Sequence, residues 1–248
     1  MFKQEQEHYG ELGADYWWLG GKYAIVIDLM RRHGAHMKTK KGERRILDAG
    51  CGPGNLIDLL KPYGTVDGID FSPEAMTLAK GKGYNTLQLS GIENIPFPDN
   101  TFDTIIVLDI IEHTPDDAVS IQEAYRVLKP GGQLVFSLPA YMFMWGHHDD
   151  QYGHYRRYTK TEIKRKLEKA GFTTKQITYI EPLFLFPLFI FRKLKRLTKT
   201  QKDDFVPIPG WLNVILRNMI AFEKYIVRIV SIPFGVSILG VVEKPLDK

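Results

Sequence analysis

The sequence predicts an α/β fold that is doubly wound around a mostly parallel sheet. Short apolar runs typical of strands alternate with helical patterns, and a glycine-rich turn joins the first such strand to a helix. Because parallel strands need crossover helices, this alternation places helices on both faces of the sheet. The predicted strands cover residues 45–49, 65–69, 86–90, 102–108, 133–138 and 174–180. The predicted helices lie near residues 22–32, 55–63, 72–82, 116–128 and 161–170.

Composition indicates one large domain with an elaboration. The chain has 248 residues, of which 44% are hydrophobic and 25% charged, as in ordinary globular proteins. Cys51 is the only cysteine, which excludes an intrachain disulfide and fits a reducing compartment. Since residues 1–8 lack the basic-then-apolar order of a signal peptide, the sequence predicts a cytoplasmic protein.

The first strand leads into a turn with glycines at positions 50, 52 and 54, behind Asp48. Glycines let a ligand approach the main chain, and the helix that follows offers free N–H groups. The second strand, residues 65–70, ends in Asp70, a carboxylate suited to the two hydroxyls of a ribose. These features predict a nucleoside-bearing cofactor, with a plain tight turn as the alternative. The dinucleotide-binding fingerprint Gly-x-Gly-x-x-Gly, aligned on Gly50 and Gly52, requires glycine at position 55, where this sequence has asparagine.

Residues typical of helix N-termini mark where two of the predicted helices begin. Ser72 followed by Pro73 has the chemistry of a helix N-terminus, and either Thr159 or Thr161 caps the helix near residue 161.

Four motifs in order resemble those of the class I S-adenosylmethionine (SAM)-dependent methyltransferases, over roughly residues 45–180. They are residues 48–54, residues 68–70, the segment 96–113 with its Pro-Phe-Pro start and Glu-His end, and the Leu-Lys-Pro-Gly-Gly segment at 128–132. The nearest likeness is to the small-molecule and lipid branch that includes the quinone-biosynthesis enzymes. The resemblance implies a Rossmann-like methyltransferase fold with seven strands, the last of them antiparallel.

The resemblance also implies a set of cofactor-binding residues. The glycines would line the methionine and ribose of SAM, Asp70 would hold the ribose, and Phe71 would flank the adenine. A purely capping role for Asp70 is the alternative. Residues 90–93 depart from the usual Gly-Asp-Ala-Glu, so adenine recognition would rest on the Ile92 backbone and on Glu93. The full predicted set is Asp48, Gly50, Cys51, Gly52, Gly54, Asp70, Phe71, Ile92, Glu93, Leu108 and Asp109.

Three residues are candidates for catalysis. His113 follows the fourth strand and can take a proton at neutral pH, or it can be a packed residue that orients the loop. His154 and Arg156 belong to a Gly-His-Tyr-Arg-Arg-Tyr string, where an arginine suits a carboxylate or phosphate on the acceptor or instead ties the loop down. The histidines and aspartates of residues 147–154 match no regular metal-ligand spacing, so no metal is predicted.

Some fifty-five residues separate the sixth strand from the seventh, whose candidate is residues 235–242. Residues 182–191 carry no polar side chain, and Asn213, Arg217, Lys224 and Arg228 fall on one stripe of a second helix. Residues 182–232 hold nine basic and three acidic residues, a net charge of +6, which leaves −2 for the rest of a chain whose total is +4.

This composition is typical of helices that rest in a membrane interface, and a lid over the site or a homodimer contact are the alternatives. We therefore divide the chain into an N-terminal helical cover (1–44), a SAM-binding core (45–181), a hydrophobic basic insertion (182–232) and the last core strand with a tail (233–248).

The predicted reaction is methyl transfer from SAM to an oxygen or carbon of a small, lipid-like or anionic acceptor, with S-adenosylhomocysteine as product. Attachment to an anionic membrane surface through the insertion would make the protein peripheral. A nucleic-acid methyltransferase and a nonenzymatic SAM-binding scaffold are the rivals. No nucleic-acid partner is expected, since the sequence has no appended binding module and no Asn-Pro-Pro-Tyr-type tetrapeptide after strand four.

Overall fold

The computed structural model describes residues 13–34, 43–198 and 208–246, with side chains up to 195 in the second range. Seven strands form one sheet in the order β3-β2-β1-β4-β5-β7-β6. The strands are β1 (Arg44–Ala49), β2 (Gly64–Asp70), β3 (Leu87–Leu89), β4 (Phe102–Leu108), β5 (Leu128–Pro139), β6 (Thr173–Ile180) and β7 (Ser237–Glu243). All neighbours are parallel except that β7 runs antiparallel to both β5 and β6, which confirms the predicted fold class.

Helices cover both faces of this sheet. The described helices are α1 (Trp17–His33), α2 (Ile57–Leu60), α3 (Pro73–Ala79), α4 (Asp117–Val127), α5 (His147–Gln151), α6 (Lys160–Lys169), α7 (Pro182–Thr198) and α8 (Gly210–Val227). The predicted helix at 55–63 is shorter, since a 3-10 turn with Pro62 replaces its second half. Thr159, not Thr161, caps α6, because its hydroxyl accepts the Glu162 N–H at 3.3 Å.

The strands alternate their side chains between two apolar layers. In β4, Ile105 joins the layer that includes Ile121 of α4, whereas Ile106 joins the layer that includes Ile25 of α1 and Ile220 of α8. Because successive side chains of a strand point to opposite faces, a continuous apolar run such as residues 104–108 is buried on both sides.

The sheet changes winding direction at β1, which pairs with β2 on one side and with β4 on the other. In open α/β sheets a crevice forms outside the carboxyl ends of the strands at such a switch point. The residues that follow β1, β2 and β4 therefore share one edge.

Helix α8 packs directly against α1, and glycine allows the contact. A Cβ on Gly21 would lie 2.6 Å from Ile220 Cβ, so only glycine lets the two helices come this close. Asn213 Oδ1 accepts the Trp17 N–H at 2.8 Å, and Arg217 pairs with Asp15 at 2.8 Å.

The predicted polar stripe of α8 thus faces the protein, while the opposite side of the helix is apolar and exposed. Across α7, α8 and the turn after α8, the exposed apolar side chains include Leu183, Phe186, Ile190, Leu194, Trp211, Ile215, Phe222, Ile226 and Ile229. Among the described residues, no helix combines the length and apolar character that crossing a bilayer requires.

Residues 1–12, 35–42, 199–207 and 247–248 lie outside the described ranges, and with them the N-terminal residues on which the cytoplasmic prediction rests and part of the basic segment. The four-part division of the chain stays a prediction.

Candidate functional site

A cavity opens at the carboxyl edge of β1, β2 and β4, under α1 and beside α7. Of the predicted cofactor residues, Gly50, Cys51, Gly52, Asp70, Phe71, Leu108 and Asp109 line it. So do Glu112, His113 and His154, together with Trp18 and Lys22 of α1 and Arg192 of α7. The cavity therefore joins the glycine turn to both loops in which catalytic residues were predicted.

The turn after β1 exposes its backbone because its glycines adopt left-handed conformations. Gly50 and Gly54 each have φ of 81°, and Gly52 has φ of 52°. A Cβ on Gly50 would lie only 2.2 Å from Ile110 Cδ1, so this position requires glycine both for its backbone angle and for space.

Asp70 ends β2 and holds the turn in place. Its carboxylate accepts the Gly52 N–H at 2.8 Å and the Ser72 N–H at 2.9 Å. Burial raises the pKa of Asp70, against the effect of these backbone donors. Since each carboxylate oxygen has two lone pairs, the side chain can still accept further hydrogen bonds in the cavity.

Asp48, before the turn, and Cys51, within it, are both buried. Asp48 does not line the cavity; it accepts the Tyr84 hydroxyl at 2.7 Å, and burial raises its pKa to about 7. Burial also raises the pKa of the Cys51 thiol, so this cysteine is protonated at neutral pH and is a poor nucleophile.

Asp109 follows β4 and meets a lysine from the N-terminal helix. Lys22 Nζ donates to Asp109 Oδ2 at 2.7 Å and lies 4.6 Å from the centre of the Trp18 ring. Burial disfavours the charged form of Asp109, but attraction to Lys22 outweighs it and keeps the pKa of Asp109 below its usual value. Helix α1 is thus part of the site, because it supplies the cation of a buried ion pair.

Glu181 directly follows β6 and connects several of the elements that surround the cavity. It accepts hydrogen bonds from the Trp18 indole and, at 2.8 Å, from the Ser237 hydroxyl, and its own N–H donates to Glu223 of α8 at 2.7 Å. Burial raises the pKa of Glu181. Strands β6 and β7 and helices α1 and α8 are linked through this one residue.

Glu112, His113 and His154 lie together on the cavity wall. Glu112 and His113 form a 3-10 turn after β4, and the Tyr155 N–H donates to the Glu112 carbonyl at 2.8 Å, which brings the His154 loop alongside. The two imidazole rings are 4.5 Å apart, edge to face. Burial and the nearby His154 lower the pKa of His113 to about 4, so it is neutral at physiological pH.

The structure corrects the prediction for Arg156. This residue does not line the cavity: it donates to the Pro115 carbonyl at 2.5 Å and pairs with Asp117 at 3.2 Å. The neighbouring Arg157 lines the cavity instead, held by Asp149 at 2.7 Å. The loop-tying alternative therefore describes Arg156.

Besides Asp48, three more predicted cofactor residues lie off the cavity wall. Ile92 is buried in one of the apolar layers, Glu93 is exposed to solvent, and Gly54 lies beyond the cavity lining. Phe71 lines the same cavity as the glycine turn, and its side chain is half exposed.

Sequence reasoning missed Lys22, Trp18, Glu112 and Arg192. A lone charge in the apolar run of α1 was a usable signal for Lys22, because a lysine there needs a buried partner. No sequence pattern near Glu112 indicates that it lies beside His154, which is forty-two positions later in the chain.

The geometry agrees with comparisons to known proteins. Residues 47–136 match the family model described as a methyltransferase domain. The chain is 34% identical over 152 residues to a ubiquinone/menaquinone biosynthesis C-methyltransferase of Geotalea daltonii. The aligned region covers 55% of this chain and 65% of that protein. It is 30% identical over 144 residues to a ubiquinone biosynthesis O-methyltransferase of Coxiella burnetii, covering 54% and 61%. The chain thus spans less than two thirds of the length of these relatives.

Solved structures agree at the level of the fold. A SAM-dependent methyltransferase from Archaeoglobus fulgidus superimposes with a TM-score of 0.55 at 19% identity, over 90% of this chain and 94% of that one. The family match, the strand order and the glycine-turn cavity agree: residues 47–136 match a methyltransferase domain, and the chain is similar to class I SAM-dependent methyltransferases of the quinone-biosynthesis type.

Proposed function

We propose that this protein transfers the methyl group of SAM to an oxygen or carbon of a small, lipid-like acceptor at a membrane surface. The observation that carries the proposal is the cavity in which the glycine turn, Asp70 and Phe71 meet the buried polar groups after β4.

The residues present fit SAM. Three glycines with left-handed φ leave the backbone open where the methionine and ribose would lie, and a Cβ at Gly50 would collide with the Ile110 side chain beside this space. Asp70 offers carboxylate lone pairs to the ribose hydroxyls, and the exposed ring of Phe71 offers an apolar face to adenine. When bound, SAM supplies an activated methyl group on a sulfonium.

The chain's own residues position the reactants and handle one proton. Positioning alone contributes much of the rate in such transfers. Asp109, held ionised by Lys22, places a negative charge near the cofactor turn and is suited to a cationic group of SAM. His113 is neutral and its Nδ1–H donates to the Tyr152 carbonyl at 3.0 Å, so Nε2 carries the lone pair, and the pKa of about 4 makes this nitrogen a weak base suited to accepting a hydrogen bond from the acceptor.

The exposed apolar faces of α7 and α8 support a lipid-associated acceptor. Leu183 and Phe186 are 67% and 66% exposed, Trp211 66% and Ile229 85%. Soluble proteins rarely expose apolar patches larger than a few hundred Å² unless they bind a partner or a membrane. Because the polar stripe of α8 makes hydrogen bonds and ion pairs with α1 and the residues before it, the apolar side of α8 faces outward.

Basic side chains beside this patch favour an anionic bilayer. Lys195 Nζ lies 4.5 Å from the Phe191 ring and Lys193 Nζ 5.6 Å from the Phe189 ring, so both charges lie beside the aromatic face. Each basic residue that reaches an anionic surface adds roughly 1 kcal/mol, which fades within a Debye length. The apolar and electrostatic contributions therefore favour the same orientation, with the cavity wall formed by α7 next to the lipid.

The acceptor is tested directly with methyl-labelled SAM. The protein is incubated with separated lipid and polar extracts, beside an Asp70→Ala control. We expect label in the lipid fraction that depends on the intact protein. Label that appears only in the polar fraction, or in nucleic acid, would contradict a lipid-like acceptor.

Membrane contact is tested by co-sedimentation with vesicles of anionic lipid. Replacing Trp211, Phe222 and Ile229 together by serine is expected to release the protein into the supernatant. Leu89→Ser is the matched control, because Leu89 is 59% exposed on the opposite edge strand. Binding should weaken but persist in high salt. Equal sedimentation of the triple variant and the wild type would exclude this surface as the docking site.

A further inference from the structure

We propose that Arg157 and Arg192 form a binding site in the cavity for an anionic group of the acceptor, a carboxylate or a phosphate. This inference rests on the proposed methyl transfer and narrows its acceptor to a lipid-like molecule with a negatively charged end. Both arginines line the cavity. Arg157 lies in the segment between α5 and α6, and Arg192 belongs to α7.

The two guanidinium groups are buried close to one carboxylate. The side chains of Arg157 and Arg192 are only 3% and 9% exposed. Arg157 Nε lies 2.7 Å from Asp149 Oδ1, and Arg192 Nη1 lies 3.7 Å from Asp149 Oδ2. Burial and repulsion from Arg192 lower the pKa of Arg157. Since like charges that are buried side by side repel each other, a bound anion would relieve this repulsion.

The guanidinium group of Arg157 is held in place with one donor nitrogen left over. Its Nε donates to Asp149 at 2.7 Å and its Nη1 to the Ala140 carbonyl at 3.1 Å. Asp149 is itself engaged on both oxygens, because it also accepts the Gly146 N–H at 2.8 Å and lies 2.8 Å from His154 Nδ1. Among the residues that the structure describes, none accepts a hydrogen bond from Nη2 of Arg157. Because the guanidinium is planar, its Nη2 N–H groups are oriented before a ligand arrives, and such donors match the oxygens of a carboxylate or a phosphate.

The carboxyl groups nearby do not exclude an anion. Asp109 is paired with Lys22 at 2.7 Å. Burial and the neighbouring Asp109 raise the pKa of Glu112 well above its usual value, which favours the neutral acid. A protonated carboxyl group donates a hydrogen bond to an anion instead of repelling it. The arginines therefore set the sign of the charge that this part of the cavity accepts.

Helix α7 adds an apolar neighbour to the two cations. Leu188 and Arg192 are four positions apart, so they lie on the same face of α7, and both line the cavity. Val236, just before β7, lines it as well. A ligand at Arg192 thus meets apolar side chains beside the guanidinium groups. This combination suits an amphiphilic anion better than a free inorganic ion.

The sheet order assigns the anionic group to the acceptor. Gly50 and Asp70 are at the ends of β1 and β2, whereas Arg157 and Arg192 come after β5 and β6. Strand β4 lies between these two pairs of strands in the sheet. An acceptor held by its charged end on the β5 side is restricted in how its other atoms approach the methyl group. Such positioning is what speeds a transfer between two bound molecules.

The test compares three soluble probes of equal chain length: hexyl phosphate, hexanoate and uncharged hexanol. Each is titrated by calorimetry into protein saturated with S-adenosylhomocysteine, so that the cofactor part of the cavity is occupied. We expect one site per chain and at least ~10-fold tighter binding of an anionic probe than of hexanol, because charge-assisted hydrogen bonds to a guanidinium are strong. Arg192→Gln should abolish this preference and leave SAM affinity the same. Arg165→Gln is the matched control, because this arginine of α6 is exposed.

Further probes separate the possible sources of the anion. Of hexyl phosphate and hexanoate, the tighter ligand identifies the anionic group of the acceptor. Inorganic phosphate that binds as tightly as hexyl phosphate would overturn an amphiphilic acceptor. The triple serine variant of Trp211, Phe222 and Ile229 should keep the preference of the wild type, since a loss there would place the probes on the exposed apolar patch instead of in the cavity.

Two results with Arg192→Gln would overturn the site. One is a folded variant that still prefers the anionic probes. The other is weakened SAM binding, which would assign Arg192 to the carboxylate of the cofactor. Equal binding of hexanol and both anions by the wild type would overturn the site as well.

A measurement on the unaltered protein covers the case in which the variants do not fold. A crystal structure with S-adenosylhomocysteine and hexyl phosphate should place a phosphate oxygen within hydrogen-bond distance of Arg157 Nη2, and a phosphate bound elsewhere would contradict the site. If a lipid takes up label from SAM but the anionic probes are not preferred, only this site fails. If the anionic probes bind through Arg192 but no fraction takes up label, only the proposed methyl transfer fails.

Discussion

Replacing Lys22 by methionine tests whether helix α1 is an integral part of the site. The substitution keeps the length of the apolar stem and removes the charge that pairs with Asp109 at 2.7 Å. Lys22 is 1% exposed, whereas the Asp109 side chain left behind is 34% exposed, so water compensates part of its lost partner. Removing one partner of a fully buried pair costs about 3–5 kcal/mol, and the solvent at Asp109 lowers this cost. Loss of the cation–aromatic contact with Trp18 adds to this cost.

The assay is urea unfolding of the wild type, Lys22→Met, Asp109→Asn and the double variant. We expect Lys22→Met to lower the free energy of unfolding by about 1–3 kcal/mol, with a melting temperature roughly 2–12 °C lower for a chain of this size. The double variant should recover most of that loss, because it leaves no unpaired charge. Additive effects of the two single substitutions would refute the inferred pairing, and so would a Lys22→Met protein as stable as the wild type.

Three further outcomes follow from residues in the glycine turn, before it and in the loop that contains His154. Burial raises the folded-state pKa of Asp48 from 3.8 to about 7, so its contribution to stability is full below about pH 4 and is lost as the pH rises through 7. Asp48→Asn should remove this loss, which is worth up to about 4 kcal/mol at pH 8 and is measured by urea unfolding. If the free energy of unfolding depends on pH equally in the variant and the wild type, Asp48 is not the group responsible. Gly50→Ala should weaken SAM binding at least ~10-fold by calorimetry, because the new Cβ would lie 2.2 Å from Ile110 Cδ1 and φ is 81°. Arg156→Ala should cost about 1 kcal/mol of stability, as its contacts with Asp117 and the Pro115 carbonyl are lost, while SAM affinity stays the same; a drop in SAM affinity would place Arg156 in the site after all.

The fold was predictable from the sequence because its signals are local. Strand-length apolar runs, the turn at residues 50–54 and the Ser72 cap are each set by neighbours within a few residues, and the structure confirms them. The family resemblance added the antiparallel last strand, which sequence periodicity alone does not specify.

The site was only partly predictable, because its charges meet across long stretches of chain. Lys22 and Asp109 are 87 positions apart, and Glu112 and His154 are brought together by contacts between two loops, among them the Tyr155–Glu112 backbone hydrogen bond. The orientation of α8 was likewise undetermined. Helical spacing predicted its polar stripe, but whether the stripe faced water or α1 depended on the close contact at Gly21.

The measurement that tests the central claim most directly is calorimetric titration of the purified protein with SAM and with S-adenosylhomocysteine, beside NAD as the control. The account predicts saturable binding of both sulfur compounds at one site, little heat with NAD, and affinity weakened by about 1–3 kcal/mol in Asp70→Ala, because the ribose hydroxyls lose their acceptor. Absence of SAM binding to the folded protein, or an Asp70→Ala variant with unchanged affinity, would contradict the assignment of this cavity as the cofactor site.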